Sequence, residues 1–268
     1  MELDLNNIIN AANYENLCDF SIIPPENKYF TEAIFNKNAI IFCKTDYIDY
    51  LFNNLVYSKK NYIIITHHSD YPIDPYRFYK KPNCIKKWFA INATLKHEDL
   101  ICIPLGLKTH KGIYLEPRYM TDWFVSNMSR LRLNDKQDKV YCNWGDTNPE
   151  RSDIILKLKK NNINITHESN ISFDVYANHM SCHKFVLSPP GNGIDCHRTW
   201  ESLYVGCIPI VIKNYIYDNF KNLPLLQVND YSEVTSELLS SFNINDYSSE
   251  KLNMSFWSDI IKDSLCVT

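Results

Sequence analysis

No stretch of this 268-residue chain approaches the roughly 18 to 20 consecutive apolar residues that cross a bilayer, so no integral membrane segment is expected. An excess of one charge is also lacking. Twenty-eight Lys and Arg against 31 Asp and Glu leave a formal net charge of -3. That withholds the general attraction to nucleic acid or anionic lipid that a strongly basic chain carries, and nucleic acid is not expected as a partner. The opening Met1-Glu2-Leu3-Asp4-Leu5 has neither the basic start nor the apolar run of a signal peptide. Nine cysteines, an odd number without any Cys-x-x-Cys spacing, read as reduced thiols rather than as disulfides or a closed zinc site. The expected location is therefore cytoplasmic.

Several catalytic signatures are missing too. There is no Gly-x-Ser-x-Gly for a serine hydrolase, and the one glycine-rich loop lacks the Gly-Lys-Ser/Thr ending of a phosphate-binding NTPase. No Asp-x-Asp pair is present to hold a metal ion; Asp70-Tyr71 and Asp230-Tyr231 each lack the second carboxylate. Neither repeats nor low-complexity tracts occur.

What the chain does contain is 45% hydrophobic and 22% charged residues, a globular balance, arranged as short apolar runs alternating with longer amphipathic stretches. That alternation is the pattern of parallel strands linked by helices, an α/β fold. The spacing predicts strands over 39–43, 62–66, 86–90, 100–103, 140–143, 163–166, 184–187 and 208–212. It predicts helices over 46–57, 118–131, 149–161, 172–180, 194–205, 232–241 and 248–262. The length suits two small domains, and the polar run Asn134 to Lys139 separates the two series. The expected division is an N-terminal domain 1–138, a C-terminal domain 139–245 and a terminal helical segment 246–268. In that segment Leu252, Phe256, Ile260 and Ile261 form an apolar face.

The most informative segment runs from Lys184 to Glu201: a strand, the turn Ser188-Pro189-Pro190-Gly191-Asn192-Gly193, and the helix start Ile194-Asp195-Cys196-His197-Arg198. Gly191 and Gly193 allow a ligand close approach to the main chain, and first-turn amides favour a phosphate. Asp195 is a candidate helix cap. On a helix His197, Arg198 and Glu201 share one face within a turn of about 5.4 Å. Arg198 suits a diphosphate, since its planar fork bonds two oxygens and stays charged. Glu201 can accept from both hydroxyls of a ribose. Chemistry alone leaves a second reading open, in which the loop is merely a tight turn and Arg198 and Glu201 form a surface ion pair.

The run Phe185 to Val211 resembles the donor-binding motif of exostosin-like glycosyltransferases. Lys213-Asn214-Tyr215, Leu223-Pro224, the strand Leu225 to Val228 and Thr147-Asn148-Pro149-Glu150-Arg151 are similar to that family as well. The resemblance implies a compact member of the kind carried by large DNA viruses, for which the cytoplasm would be that of a host. It further implies a GT-B-like architecture: two Rossmann-like domains facing across a cleft, with the C-terminal helix packing back toward the N-terminal domain. The implied activity is inverting transfer of a monosaccharide from a nucleotide sugar, expected to be a UDP-sugar, to a glycan or glycoprotein acceptor. No metal or other cofactor is implied. Donor-binding candidates are then Arg151, Ser188, Gly191, Asn192, Gly193, Ile194, His197, Arg198 and Glu201.

Such a transfer needs charge stabilisation on the departing diphosphate and a base for the acceptor hydroxyl. Arg198, the amides around Asn192 to Ile194, and Arg151 at the carboxyl edge of the sheet are the candidates for the first task. For the second, Ile63-Ile64-Ile65-Thr66-His67-His68-Ser69-Asp70 is a buried strand running into a polar cluster, which makes Asp70 or His68 the candidate base. The loop Ile103 to Lys108 could line the acceptor side. The alternative from another class is a noncatalytic protein that binds a nucleotide sugar or glycan.

Overall fold

The computed structural model describes residues 7–24, 32–108, 117–145 and 148–266, with backbone alone for 117–121. Two parallel five-stranded sheets make up the mixed α/β fold. The first contains β1 (Phe20–Ile22), β2 (Ala39–Lys44), β3 (Tyr62–His67), β4 (Ile85–Ala90) and β5 (Leu100–Cys102), in that spatial order. The helices of this half are α1 (Ala11–Glu15), α2 (Ile48–Leu55), α3 (Pro75–Phe78) and α4 (Pro117–Arg132).

Strand β3 explains why the first sheet is covered on both faces. Every residue from Tyr62 to His67 is buried, as the near-continuous apolar run of a doubly covered parallel strand requires. Successive side chains point to opposite faces. On one face Thr66 accepts a hydrogen bond from Trp88 Nε1 at 2.9 Å, and Phe52 of α2 meets Trp88 edge-on. On the other, His67 lies against Tyr14 of α1.

The second sheet contains β6 (Gln137–Asn143), β7 (Ile165–Glu168), β8 (His183–Leu187), β9 (Ile208–Ile212) and β10 (Leu226–Val228), in the order β10-β9-β8-β6-β7. Its helices are α5 (Ile154–Lys160), α6 (Phe173–Ser181), α7 (His197–Tyr204), α8 (Tyr215–Asp218) and α9 (Ser236–Ser241). The chain winds one way from β6 to β7 and the other way from β8 to β10. The reversal point between β6 and β8 is where open α/β sheets bind ligands, beyond their carboxyl ends.

Alternation also divides the second sheet's core. Val140, Cys142, Phe185, Leu187, Ile208 and Ile210 pack in a cluster of their own. Tyr141, Val186 and Val211, from the opposite face, belong to one continuous cluster with the core of the first sheet. The halves are fused through buried apolar contact and through polar ties as well. Ile9 N–H donates to the Tyr204 hydroxyl at 2.7 Å, and that hydroxyl donates to Leu252 O at 2.8 Å. The terminal helix α10 (Met254–Cys266) contacts β3 of the first sheet, and Met254 N–H donates to Asn7 O at 2.8 Å. Among the described residues no helix is long and apolar enough to cross a membrane.

Each strand expected from the spacing is present within a few residues. β1 is additional, and β10 corresponds to the segment named through the resemblance. β6 begins at Gln137, inside the polar stretch taken as the boundary, because Gln137 N–H already bonds Cys182 O at 2.8 Å. The helix expected from Ile194 starts at His197 instead. Asp195 N–H is taken by Asn92 Oδ1 at 2.9 Å and Cys196 N–H by the Asp195 carboxylate at 2.9 Å, while Ile194, partly buried, packs against the core. Met1 to Leu5 and Thr147 lie outside the described residues.

Candidate functional site

A cavity of about 580 Å³ opens where the carboxyl ends of the two sheets meet. The first half contributes the end of β3 and the loop after β5, through His67, His68, Asp70 and Lys108. The second contributes Asn143 at the end of β6, the loop after β8 and the first turns of α7. Of the residues singled out in the sequence, the cavity brings together His68, Asp70, Gly191, Asn192, Gly193, His197, Arg198 and Glu201. Arg151, Ser188 and Ile194 are not in its lining.

Arg198 reaches the cavity from the first turn of α7. Its Nε and Nη1 are shut from solvent and have no hydrogen-bond partner. Glu201, one turn along and 7% exposed, accepts from Tyr176 Oη at 2.8 Å. Burial raises the Glu201 pKa, while the Tyr176 hydroxyl and the charges of Arg198 and Lys108 act against that rise. The surface ion pair left open by the sequence is not formed: Glu201 is buried, and it accepts its hydrogen bond from the Tyr176 phenol. The amides of Asn192, Gly193 and Ile194 make no hydrogen bond to a described residue. Gly191 N–H is closed on Gly193 O at 3.0 Å.

Arg151 stands behind this loop. Its Nε donates to Pro190 O at 2.9 Å, Nη2 to Pro189 O at 3.2 Å and Nη1 to Gly145 O at 2.7 Å. A Cβ on Gly191 would stand 3.2 Å from Nη2. The side chain expected at the diphosphate therefore braces the loop that would hold it. Burial lowers the Arg151 pKa, and the nearby charge of Arg198 lowers it further. Ser188 is buried, with its Oγ 2.9 Å from Thr199 Oγ1, and ties β8 to α7. His197 faces the first half instead, its Nδ1–H donating to Gly106 O at 2.8 Å.

Asp195 is the least expected member of the site. Only 6% exposed, its carboxylate accepts from Leu105 N–H at 3.1 Å, Trp200 Nε1 at 2.8 Å and Cys196 N–H at 2.9 Å. Burial pushes its pKa up to about 7 even with those donors pulling it down. Because Leu105 belongs to the first half, Asp195 joins the two sides of the cavity rather than capping α7. Asn92, which accepts from Asp195 N–H, makes a second tie.

On the first half, His67 is 2% exposed. Its Nδ1 accepts from the His68 N–H at 2.8 Å and its Nε2–H donates to Leu105 O at 3.1 Å. These bonds define the tautomer. Burial, His68 and His197 hold its pKa well below the ordinary value, so the ring is neutral. His67, Asp195, Asn92 and Tyr176 were not selected as site residues from the sequence. The available signal for His67 was a polar residue ending a wholly apolar strand, since such a group needs a partner when buried.

Among the described residues no three His, Cys, Asp or Glu side chains converge as a metal-ligand set. Comparison with protein-family models gives no match for this chain, and comparison with curated proteins gives none either.

Proposed function

We propose that the chain is an inverting, metal-independent glycosyltransferase of GT-B-like arrangement. It would move a monosaccharide from a nucleotide sugar, a UDP-sugar by resemblance, to a hydroxyl of a glycan or glycoprotein. The observation that supports this most is the guanidinium of Arg198, with two nitrogens desolvated and unpartnered beside an open cavity. Desolvated guanidinium nitrogens without a hydrogen-bond acceptor are unfavourable, and an incoming anion would supply that acceptor. Glu201 lies one helical turn away, as the ribose lies next to the diphosphate in a nucleotide.

In this reading the diphosphate rests on Arg198 and on the amides of Asn192, Gly193 and Ile194, while Arg151 keeps the loop in place. As the sugar–diphosphate bond breaks, charge grows on groups already oriented to receive it, so little reorganisation is needed. Across the cavity the end of β3 offers His68 and Asp70 to take the acceptor proton.

The test is a panel of nucleotide sugars examined by thermal shift and by release of nucleoside diphosphate, with and without a chelator. A ligand that binds the folded state raises Tm; UDP and at least one UDP-sugar should do so, and slow nucleotide release should persist in EDTA. Absence of any shift would refute the donor site. Binding without release or transfer would assign a nucleotide-sugar-binding protein instead.

A further inference from the structure

The end of β3 carries a conformational feature that the proposed reaction does not by itself require. His68 has φ 59°, in the left-handed region that a residue with a side chain adopts only at a cost in backbone strain. What holds it there is visible. Its N–H is taken by His67 Nδ1 at 2.8 Å, and its ring is set edge-on between His67, at 5.2 Å, and Phe42, at 5.8 Å. His67 is in turn anchored by its donation to Leu105 O, and the Leu105 N–H is bonded to Asp195 in the donor loop. A hydrogen-bonded chain thus runs from the donor loop through Leu105 and His67 to the backbone of His68. The other candidate base is placed differently. Asp70 Oδ1 would be 3.2 Å from a Cβ on Gly193, so its carboxylate abuts the loop proposed to take the diphosphate, where a second negative charge opposes the donor.

We propose that His68 is the acceptor base and that His67 is the positioning residue that turns it into the cavity and couples it to the donor loop. This rests on the glycosyltransferase reading given above. The acceptor hydroxyl oxygen forms its bond to the anomeric carbon while its proton passes to a ring nitrogen of His68. The bond from that carbon to the diphosphate oxygen breaks, its electron pair leaving with the oxygen toward Arg198. The products are an inverted glycoside, the nucleoside diphosphate and the imidazolium of His68, which returns its proton to solvent.

The experiment uses the full chain and whichever UDP-sugar of the panel the wild type hydrolyses, with water as acceptor. His68→Ala should lower kcat about 10²- to 10⁴-fold and leave KM for the UDP-sugar within about twofold. His67→Leu removes the acceptor for the His68 N–H and should lower kcat about 10- to 100-fold, again at unchanged KM. His67→Asn restores an oxygen near the Nδ1 position, whereas His67→Gln restores only a group near Nε2. Recovery of kcat by Asn but not by Gln is the signature of positioning, and it can be read even if His67→Leu folds poorly. Equal activity of the Asn and Gln variants, wild-type kcat in His67→Leu, or an active His68→Ala beside an inactive Asp70→Asn would each overturn the inference. A wild type that neither binds nor hydrolyses any nucleotide sugar would instead overturn the underlying reading, so the two failures are separable.

Discussion

Gly193 lies directly against Asp70 across the cavity: a Cβ on the glycine would stand 3.2 Å from Asp70 Oδ1 and 3.5 Å from Asp70 Cα, with Asn92 Nδ2 at 3.1 Å. The two halves therefore touch at a position where no side chain fits without displacing a neighbour. Gly193→Ala should shift the donor loop by a few tenths of an ångström and weaken donor binding by about 1 kcal/mol. A five- to tenfold rise in KM for the UDP-sugar is the expected reading. A wild-type KM would mean that Asn92 and Asp70 yield without effect.

The two arginines of the proposed donor side should separate by stability. Arg198→Met removes a cation whose Nε and Nη1 have no partner, so the ligand-free Tm should stay at or above that of the wild type. Turnover should fall about 10²- to 10³-fold and the UDP-induced rise in Tm should shrink. Arg151→Ala removes donors to three loop carbonyls and should cost about 2–4 kcal/mol of stability, lowering Tm before any ligand is added. Thermal melts with and without UDP make the comparison, and a marked loss of ligand-free stability in Arg198→Met would contradict it.

Glu201 should report on the ribose. With the carboxylate in place, UDP should bind more tightly than its 2'-deoxy counterpart; in Glu201→Ala both should bind weakly and alike. Titration calorimetry with the two nucleotides measures the difference, and an unaltered preference would move the ribose contact elsewhere.

Asp195 and His67 should give opposite pH slopes to stability. Asp195 has its folded pKa raised to about 7, above an unfolded value of about 3.9. The native state therefore holds the extra proton between those values, and this contribution is full below about pH 4 and is lost as pH rises toward 7. Glu201, also raised by burial, adds a slope of the same sign. His67, held well below its ordinary value, stabilises above about pH 6.5 and loses that contribution as pH falls. In Tm-against-pH series, Asp195→Asn should lose stability relative to wild type most at low pH, and the gap should narrow toward pH 7. A gap that widens with rising pH would contradict the sign.

Most of the sheet framework was legible because Ile63-Ile64-Ile65 and its counterparts are apolar runs too short for helices, and local spacing records that. β1 escaped because Phe20-Ser21-Ile22 is three residues with no period to read. The loop after β8 stood out in the sequence through its glycines and the offset between Arg198 and Glu201, and the structure places it in the cavity lining. Contacts between halves were not: Asn92 meets Asp195 across 103 positions, and no local pattern encodes which buried polar groups will pair. Arg151 shows the same limit. Its place after β6 was readable, but whether its fork would face the cavity or the back of the loop depended on carbonyls supplied by another segment.

The segment around Ile9 bears on how the molecule assembles. Ile9 donates to Tyr204, 195 positions away, and Asn7 Oδ1 accepts from Ser255, 248 positions away. This stretch leaves the ribosome long before either partner exists: Ile9 O can already accept from Leu107 N–H, but the ties to Tyr204 and Ser255 wait until α7 and the start of α10 have been made. Completing its docking therefore needs nearly the whole chain, and contacts so distant in sequence form slowly.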